Sequence, residues 1–205
     1  MPVLSSAALV AALCSPPTPA HAAVARLQAQ QPQVRVTWRG EGPSLITGLR
    51  LPTQGADPLA RAADFLARHG ALLGTADWRP LAVRPQGTRM VVQLAQHHGG
   101  HVVLDRGASL TLDAQGDVVA LHGARPPLAE VARATIDAAQ AVRLATEAVV
   151  GHPAPAVAAK ATARPVVLAQ GAYGAQAYEV RVLDKVVRVD AAAGQVVGVQ
   201  KGWME

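Results

Sequence analysis

Three histidines come nearest to a chemical arrangement in this chain, in the stretch His97-His98-Gly99-Gly100-His101. A hairpin turning on the two glycines would bring His97 and His101 together, and two or three imidazoles suit zinc. A zinc site also needs a third or fourth fixed ligand and partners that orient the first ones. Asp105 is the only acid close by. The simpler reading is a polar hairpin tip whose histidines are neighbours by sequence alone. That reading is taken here: no metal, with His97, His98 and His101 the only candidates for one.

Other chemistry finds less to work with. There is no HExxH helix to supply two histidines and a base to zinc, and no GxSxG, P-loop or GxGxxG. Ser109 is the only serine after Ser44; it lies in an alternating strand pattern with no triad partner in view. Asp113 and Asp117 flank a turn, where aspartate is favoured for its hydrogen bonds to the local backbone, and Asp190 has the same reading. Trp38 and Trp78 read as core residues, while Trp203 sits in a terminal Gly-Trp-Met-Glu that could touch a partner. No nucleophile, base and orienting group can be placed together. The expectation is a protein that is not an enzyme, with no catalytic residues and no cofactor.

The elements that would carry these residues repeat. Leu110 to His122 reads as strand, turn and strand, with Asp113-Ala-Gln-Gly116 as the turn. Val186 to Val199 repeats the plan around Asp190 and Gly194. A capped helix precedes each copy at a similar distance. The first begins at Asp57-Pro58, a good cap followed by proline where its missing N–H costs nothing. Leu59, Ala62, Ala63 and Leu66 mark one face, with Phe65 beside them. The second begins at Asp137, with Gln140 completing a capping box and Ile136 and Ala141 placed for a hydrophobic staple. Ala141, Leu144, Ala145, Ala148 and Val149 form its apolar stripe. Between and after the helices, Leu81–Arg84, Met90–Gln96, His101–Leu104, Leu110–Asp113 and Val118–His122 are strands, with Gly87, Gly99-Gly100 and Gly107 as turns. Val166–Leu168, Ala177–Val182, Val186–Asp190 and Val196–Val199 make a second set, and His152 to Arg164 reads as a mobile loop. Strands this close together favour antiparallel pairing. The pattern predicts an α+β chain of two small units, each a helix packed on an antiparallel β-meander, joined near Arg125-Pro126-Pro127.

Composition narrows the partners. Half of the 205 residues are hydrophobic but only 3% are aromatic, so the cores must be built from Val, Leu and Ala. The net charge of +5 comes from arginines scattered singly. Without a basic stripe or a stacking platform, nucleic-acid binding is not expected. Val3 to Leu13 is apolar but shorter than the roughly 20 residues that span a bilayer. It leads to Ala20-His21-Ala22, a small-x-small site of the kind signal peptidase cuts. Residues 1–22 are therefore read as a secretory signal, although no Lys or Arg precedes the apolar run. Cys14, the sole cysteine, would leave with it, and Leu13 before it is a poor fit to a lipid-anchor signal. Residues 23–44 follow as a loose extension with one edge strand near Val34, Val36 and Trp38, and Leu45 to Leu51 is a second short strand. The expected protein is secreted or periplasmic, with no membrane span.

The stretch Gln96 to Val119, with its Gly-Gly hairpin, Leu-Thr-Leu-Asp113 and Gly116-Asp-Val-Val119, resembles the central part of the FTP module, the fungalysin/thermolysin propeptide domain. Asp137-Ala-Ala-Gln-Ala-Val-Arg-Leu-Ala145, Ala177-Tyr-Glu-Val-Arg-Val182 and Val189-Asp-Ala-Ala-Ala-Gly-Gln-Val-Val197 resemble a PepSY module. The order is that of the prosegment of secreted thermolysin-like (M4/M36-type) metalloproteases. The chain departs from the FTP pattern where the family has an Arg and paired Gln, here Gln93, Ala95 and Gln96. It departs again where an aromatic and a proline are usual, here His98 and Val102.

The resemblance implies an FTP-like domain over 45–125, a PepSY-like domain with a cystatin-like fold over 135–200, and a short tail over 201–205. It also implies a role: an exported propeptide-like protein that inhibits a thermolysin-like zinc metalloprotease, or assists its folding, in trans. The alternatives are a general exported PepSY-type peptide- or protein-binding module, and the prosegment of a truncated or split metalloprotease precursor.

Overall fold

The computed structural model describes residues 18–40, 42–123, 125 and 127–202. Most of the predicted signal segment and Trp203 lie outside them. The fold is α+β, with four α-helices among the described residues and one mixed sheet of eleven strands.

The chain enters through helix α1, Pro19–Gln30, whose first-turn N–H groups find Thr18 as an N-cap. Ala20, Val24 and Leu27 form its buried stripe. The loose extension predicted after residue 22 is therefore corrected: a helix occupies its first part. Strands β1 (Arg35–Arg39) and β2 (Gly42–Leu51) form a hairpin. Helix α2, Pro58–His69, starts on the predicted cap, with Asp57 Oδ1 accepting from the Ala60 N–H at 2.9 Å. Its buried centre is Ala62 and Phe65, whereas Leu59 is 40% exposed. The apolar face is thus rotated from the predicted one toward the single phenylalanine. A 3-10 turn, Gly70–Leu73, buries Leu72 and Leu73 against the same core.

Strands β3 (Asp77–Gln86), β4 (Arg89–His98), β5 (His101–Leu112) and β6 (Val118–His122) follow in antiparallel succession. Their register, with β1 and β2, sets Val36, Ile46, Leu121, Leu110, Val92 and Val83 in one row facing the helices. Six strands thus contribute one apolar side chain each to a single line under α2. Gly107 is not a turn: His101–Leu104 and Leu110–Asp113, predicted as two strands, belong to one continuous β5.

Strand β5 is the fork of the sheet. Ala95 of β4 faces Gly107, but His97 already faces Val102, so Gln96 alone spans the four residues Val103–Arg106. Those residues bulge away from β4. Val103 and Leu104 pair in parallel with Val167 and Leu168 of β8 instead. After β7 (Glu130–Ala132), helix α3 (Ala138–Val150) and the short α4 (Pro155–Ala158), strands β8 (Thr162–Gln170), β9 (Tyr173–Val182), β10 (Lys185–Asp190) and β11 (Gln195–Lys201) extend the sheet. The loop predicted over His152–Arg164 is corrected to α4 and the start of β8. Asp137 caps α3 through the Gln140 N–H at 2.8 Å, and Gly151 closes it in the left-handed conformation. Ala141 and Ala145 pack on Val180, Val182, Val187 and Val189. Thr146, not Ala148, completes the buried stripe, its hydroxyl donating to the Val142 carbonyl at 2.8 Å. Among the described residues no helix is long and apolar enough to cross a membrane.

Candidate functional site

The histidine hairpin forms where the sequence placed it. Gly99 and Gly100 both have positive φ, 57° and 84°, the backbone of a two-residue turn that glycine adopts without strain. The turn sets His98 directly opposite His101, while His97 pairs with Val102. Neighbours along a strand face opposite ways, so His97 stands on the other side of the sheet from His98. On that side it lies across from Asp77 of β3. Asp105 is drawn away by Arg188, whose Nη1 donates to Asp105 Oδ2 at 3.0 Å. Among the described residues no group of three or more His, Cys, Asp or Glu gathers in metal-binding reach. The hairpin brings together one histidine pair, not the predicted His97–His101 one.

The acidic candidates hold turns together. Asp113 Oδ1 accepts from the N–H groups of Gln115 and Asp117, at 3.0 and 2.9 Å. Asp190 Oδ1 accepts from those of Ala192 and Ala193, both at 2.9 Å. Asp117 lies against Arg50, 3.4 Å from its Nε. A carboxylate whose one oxygen accepts two N–H groups of its own turn is placed there as a turn-former. Ser109 has Gln93 on one side and His122 on the other, with no carboxylate in that row to orient the imidazole. Trp78 is buried and its indole N–H reaches the Leu73 carbonyl at 3.4 Å; Trp38 is half-buried on the same core.

Of the ionisable groups whose pKa is shifted, those at the end of α2 and at the fork of the sheet lie against buried structure. A cleft of about 300 Å³ between α1 and the end of α2 is lined by Arg26, Arg68, His69, Leu51 and Leu72. Burial holds the His69 imidazole below its ordinary value, and the neighbouring Arg68 charge adds to this. Asp64 is held below the usual carboxylate range by hydrogen bonds from Arg68 and from the Gln54 N–H. At the fork, Arg106 is buried and donates to the Gly171 carbonyl in the β8–β9 turn. Burial lowers the pKa of its guanidinium, with Arg125 contributing.

The largest organised surface is one that pattern alone did not single out. Helices α1 and α2 and the 3-10 turn together cover one face of the six strands β1–β6. The opposite face carries two rows set by the same register. One runs Arg35, Thr47, Ala120, Thr111, Val91, Arg84; the other runs Thr37, Leu45, His122, Ser109, Gln93, Ala82. The centre of this face is small, neutral and half-buried, and arginines stand at its two edges. Its rows contain no carboxylate. The two arginines stand at opposite ends of one row, with uncharged side chains between them. The signal for this face was present as the alternate residues of each strand, but it becomes a surface only once the register is known.

Among solved structures, the chain is similar to the C-terminal domain of YpeB from Bacillus megaterium, with 12% sequence identity and a TM-score of 0.47 over 83% of this chain and 76% of that one. No family model matches the chain. No curated protein matches it either.

Proposed function

We propose that this protein is an exported, non-catalytic propeptide-like protein that binds a thermolysin-like zinc metalloprotease in trans, restraining it or templating its folding. In this reading residues 45–125 are the FTP-like part and residues 135–200 the PepSY-like, cystatin-like part. The predicted pair of separate helix-on-meander units gives way to one mixed sheet, in which the two parts are joined by the parallel pairing of β5 with β8 and β7 pairs in parallel with β9. The observation that carries the proposal is the uncovered face of β1–β6. A template needs a rigid surface, and this one is backed across six strands by a continuous apolar row under α1, α2 and the 3-10 turn.

Six strands at about 4.8 Å spacing and about 20 Å of strand length give roughly 500 Å² in plan. A stable interface takes about 800 Å² from each partner. The face therefore supplies most of one side of such an interface, and the remainder has to come from strand edges or from β8–β11.

The test is to titrate the folded protein into secreted thermolysin-like proteases of the same source and follow peptide cleavage. Saturable inhibition near one equivalent, with the protein left uncut, is expected. Ala120→Arg, at the centre of the face, is expected to weaken inhibition at least tenfold while leaving the melting temperature within about 2 °C. If the protein is digested without inhibiting, and refolding of the denatured protease gains nothing from its presence, the metalloprotease reading fails. The general exported binding module then takes its place.

A further inference from the structure

We infer that residues 18–22 belong to the folded protein, so that the exported chain keeps them and is not cut after Ala22. The inference concerns the small-x-small site Ala20-His21-Ala22, which the structure places inside the first turn of α1. Four observations converge there. Thr18 is the N-cap, its hydroxyl oxygen accepting from the His21 N–H at 3.4 Å and lying 2.7 Å from His21 Nδ1. Pro19 occupies the first helical turn. Ala20 is only 3% exposed. The His21 ring lies flat on the indole of Trp38, with ring centres 4.0 Å apart and planes 3° from parallel. The same turn lines a small cavity with Leu73, Gly74, Thr75 and Pro127. It therefore seals the end of the α2 core.

A cut after Ala22 would remove the cap, the proline and the ring that covers Trp38. Only eight residues of helix would remain, Ala23 to Gln30. A helix that short and without a cap does not hold itself. Its buried contacts, Val24 and Leu27, would have to be kept by packing alone. The far end of α1 is anchored independently: Gln31 exchanges two hydrogen bonds with the Arg50 backbone, both 3.0 Å. Loss of the first turn would thus loosen α1 from its N-terminal end rather than release it whole. Signal peptidase meets the chain before it folds, so α1 does not shield the site; what favours retention is that the native fold uses this turn as a cap, a buried alanine and a cover for Trp38.

The inference rests on the export proposed above, and two measurements separate the two ideas. The first is the intact mass of the folded protein after export of the full chain from a secreting host. A product that begins at or before Thr18 is expected; one that begins at Ala23 overturns the inference. Retention of the uncut chain inside the cell overturns the export reading alone. The second measurement decides the structural claim without export. Ala20→Arg and His21→Gly, each in the full chain, are expected to lower the melting temperature by about 3–8 °C and 2–4 °C. His21→Gly should also shift the tryptophan fluorescence as Trp38 is uncovered. Unchanged melting in both variants overturns the claim that this turn is part of the fold.

Discussion

Asp105 offers the sharpest test of how the sheet is assembled. It sits in the bulge of β5 with φ at 59°, in the left-handed region that costs an ordinary L-residue about 1–2 kcal/mol and aspartate somewhat less. Its carboxylate also meets Arg188 of β10, so one residue serves both the fork and the far half of the sheet. Three substitutions separate the contributions. Asp105→Gly removes the ion pair but relieves the backbone. Asp105→Asn keeps a side chain that tolerates the left-handed region and loses only the charge. Asp105→Ala loses both.

The ion pair is unequal, with side-chain exposures of 74% for Asp105 and 23% for Arg188. An exposed pair contributes about 0.2–1 kcal/mol. The Ala variant adds about 0.5–1 kcal/mol of backbone strain relative to Asp, for a total near 1–2 kcal/mol. The Asn variant should lose about 0.5 kcal/mol. In the Gly variant, relief of strain roughly offsets the lost pair and the greater freedom of the unfolded chain, which is worth about 0.4–1 kcal/mol. It should fall within about 0.5 kcal/mol of the parent. Urea unfolding followed by circular dichroism, repeated at low and high salt, reads all three. High salt should shrink the gap between parent and Asn but leave the gap between Gly and Ala. If Gly destabilises as much as Ala, the backbone argument is wrong and the carboxylate alone matters.

Two further outcomes follow from the core beneath α2. Phe65→Ala, at a fully buried side chain, should lower stability by about 3–5 kcal/mol. Against a typical total of about 5–15 kcal/mol, the urea midpoint should fall by roughly a fifth or more; a shift under 1 kcal/mol would mean that Phe65 does not anchor the core. His69 should make stability depend on pH below its ordinary value of 6.5. Because burial depresses its pKa in the fold, the unfolded chain takes up a proton that the native chain refuses. The stability is therefore fully present above that value and is lost as pH falls through the lower native one. His69→Gln should flatten the change in urea midpoint between pH 7.5 and 5.5, and equal slopes for parent and variant would refute the assignment.

What could be read from the sequence was whatever is fixed within a few residues. The caps Asp57 and Asp137, the glycine pair Gly99-Gly100 and the Asp113 and Asp190 turns each carry their geometry in local hydrogen bonds, and each forms where the sequence put it. What escaped was long-range. Gly107 looked like a turn because glycine between two apolar runs usually is one; here it continues β5 on the open face, opposite Ala95. The parallel pairing of Val103 and Leu104 with β8 joins segments far apart in sequence and leaves no local mark. Helix α1 was hidden because alanine and proline beside an apolar leader read as a cleavage region, and only Trp38 and the 3-10 turn give Ala20 and His21 something to pack on. The open face of β1–β6 was the least legible, since a one-residue slip on any strand would dissolve it.

The distribution of charge argues for a binding role and says which sign the partner should have. Every aspartate is engaged within the fold. Asp57 and Asp137 cap helices, and Asp113 and Asp190 hold turns. Asp64, Asp77, Asp105, Asp117 and Asp184 pair with Arg68, Arg79, Arg188, Arg50 and Lys185. Glu179 pairs with Arg164. The aspartates are thus drawn into local structure, while Glu130 and Glu147 enter no ion pair among the described residues, and the chain carries a cationic surplus. On the open sheet that surplus is Arg35 and Arg84, with Arg89 close by at the start of β4. Arg84 and Arg89 enter no ion pair among the described residues. Arg35 donates to the Pro32 carbonyl at 3.0 Å, so if the open face is the proposed docking surface, the β3–β4 edge is the end at which a partner's carboxylates should be felt. Arg84→Glu and Arg89→Glu together should therefore slow association more than dissociation, because charges at a rim act mainly on encounter. Raising the salt should slow the parent and leave the double variant nearly unchanged. An association rate indifferent to both the substitutions and salt would place the interface elsewhere on the molecule.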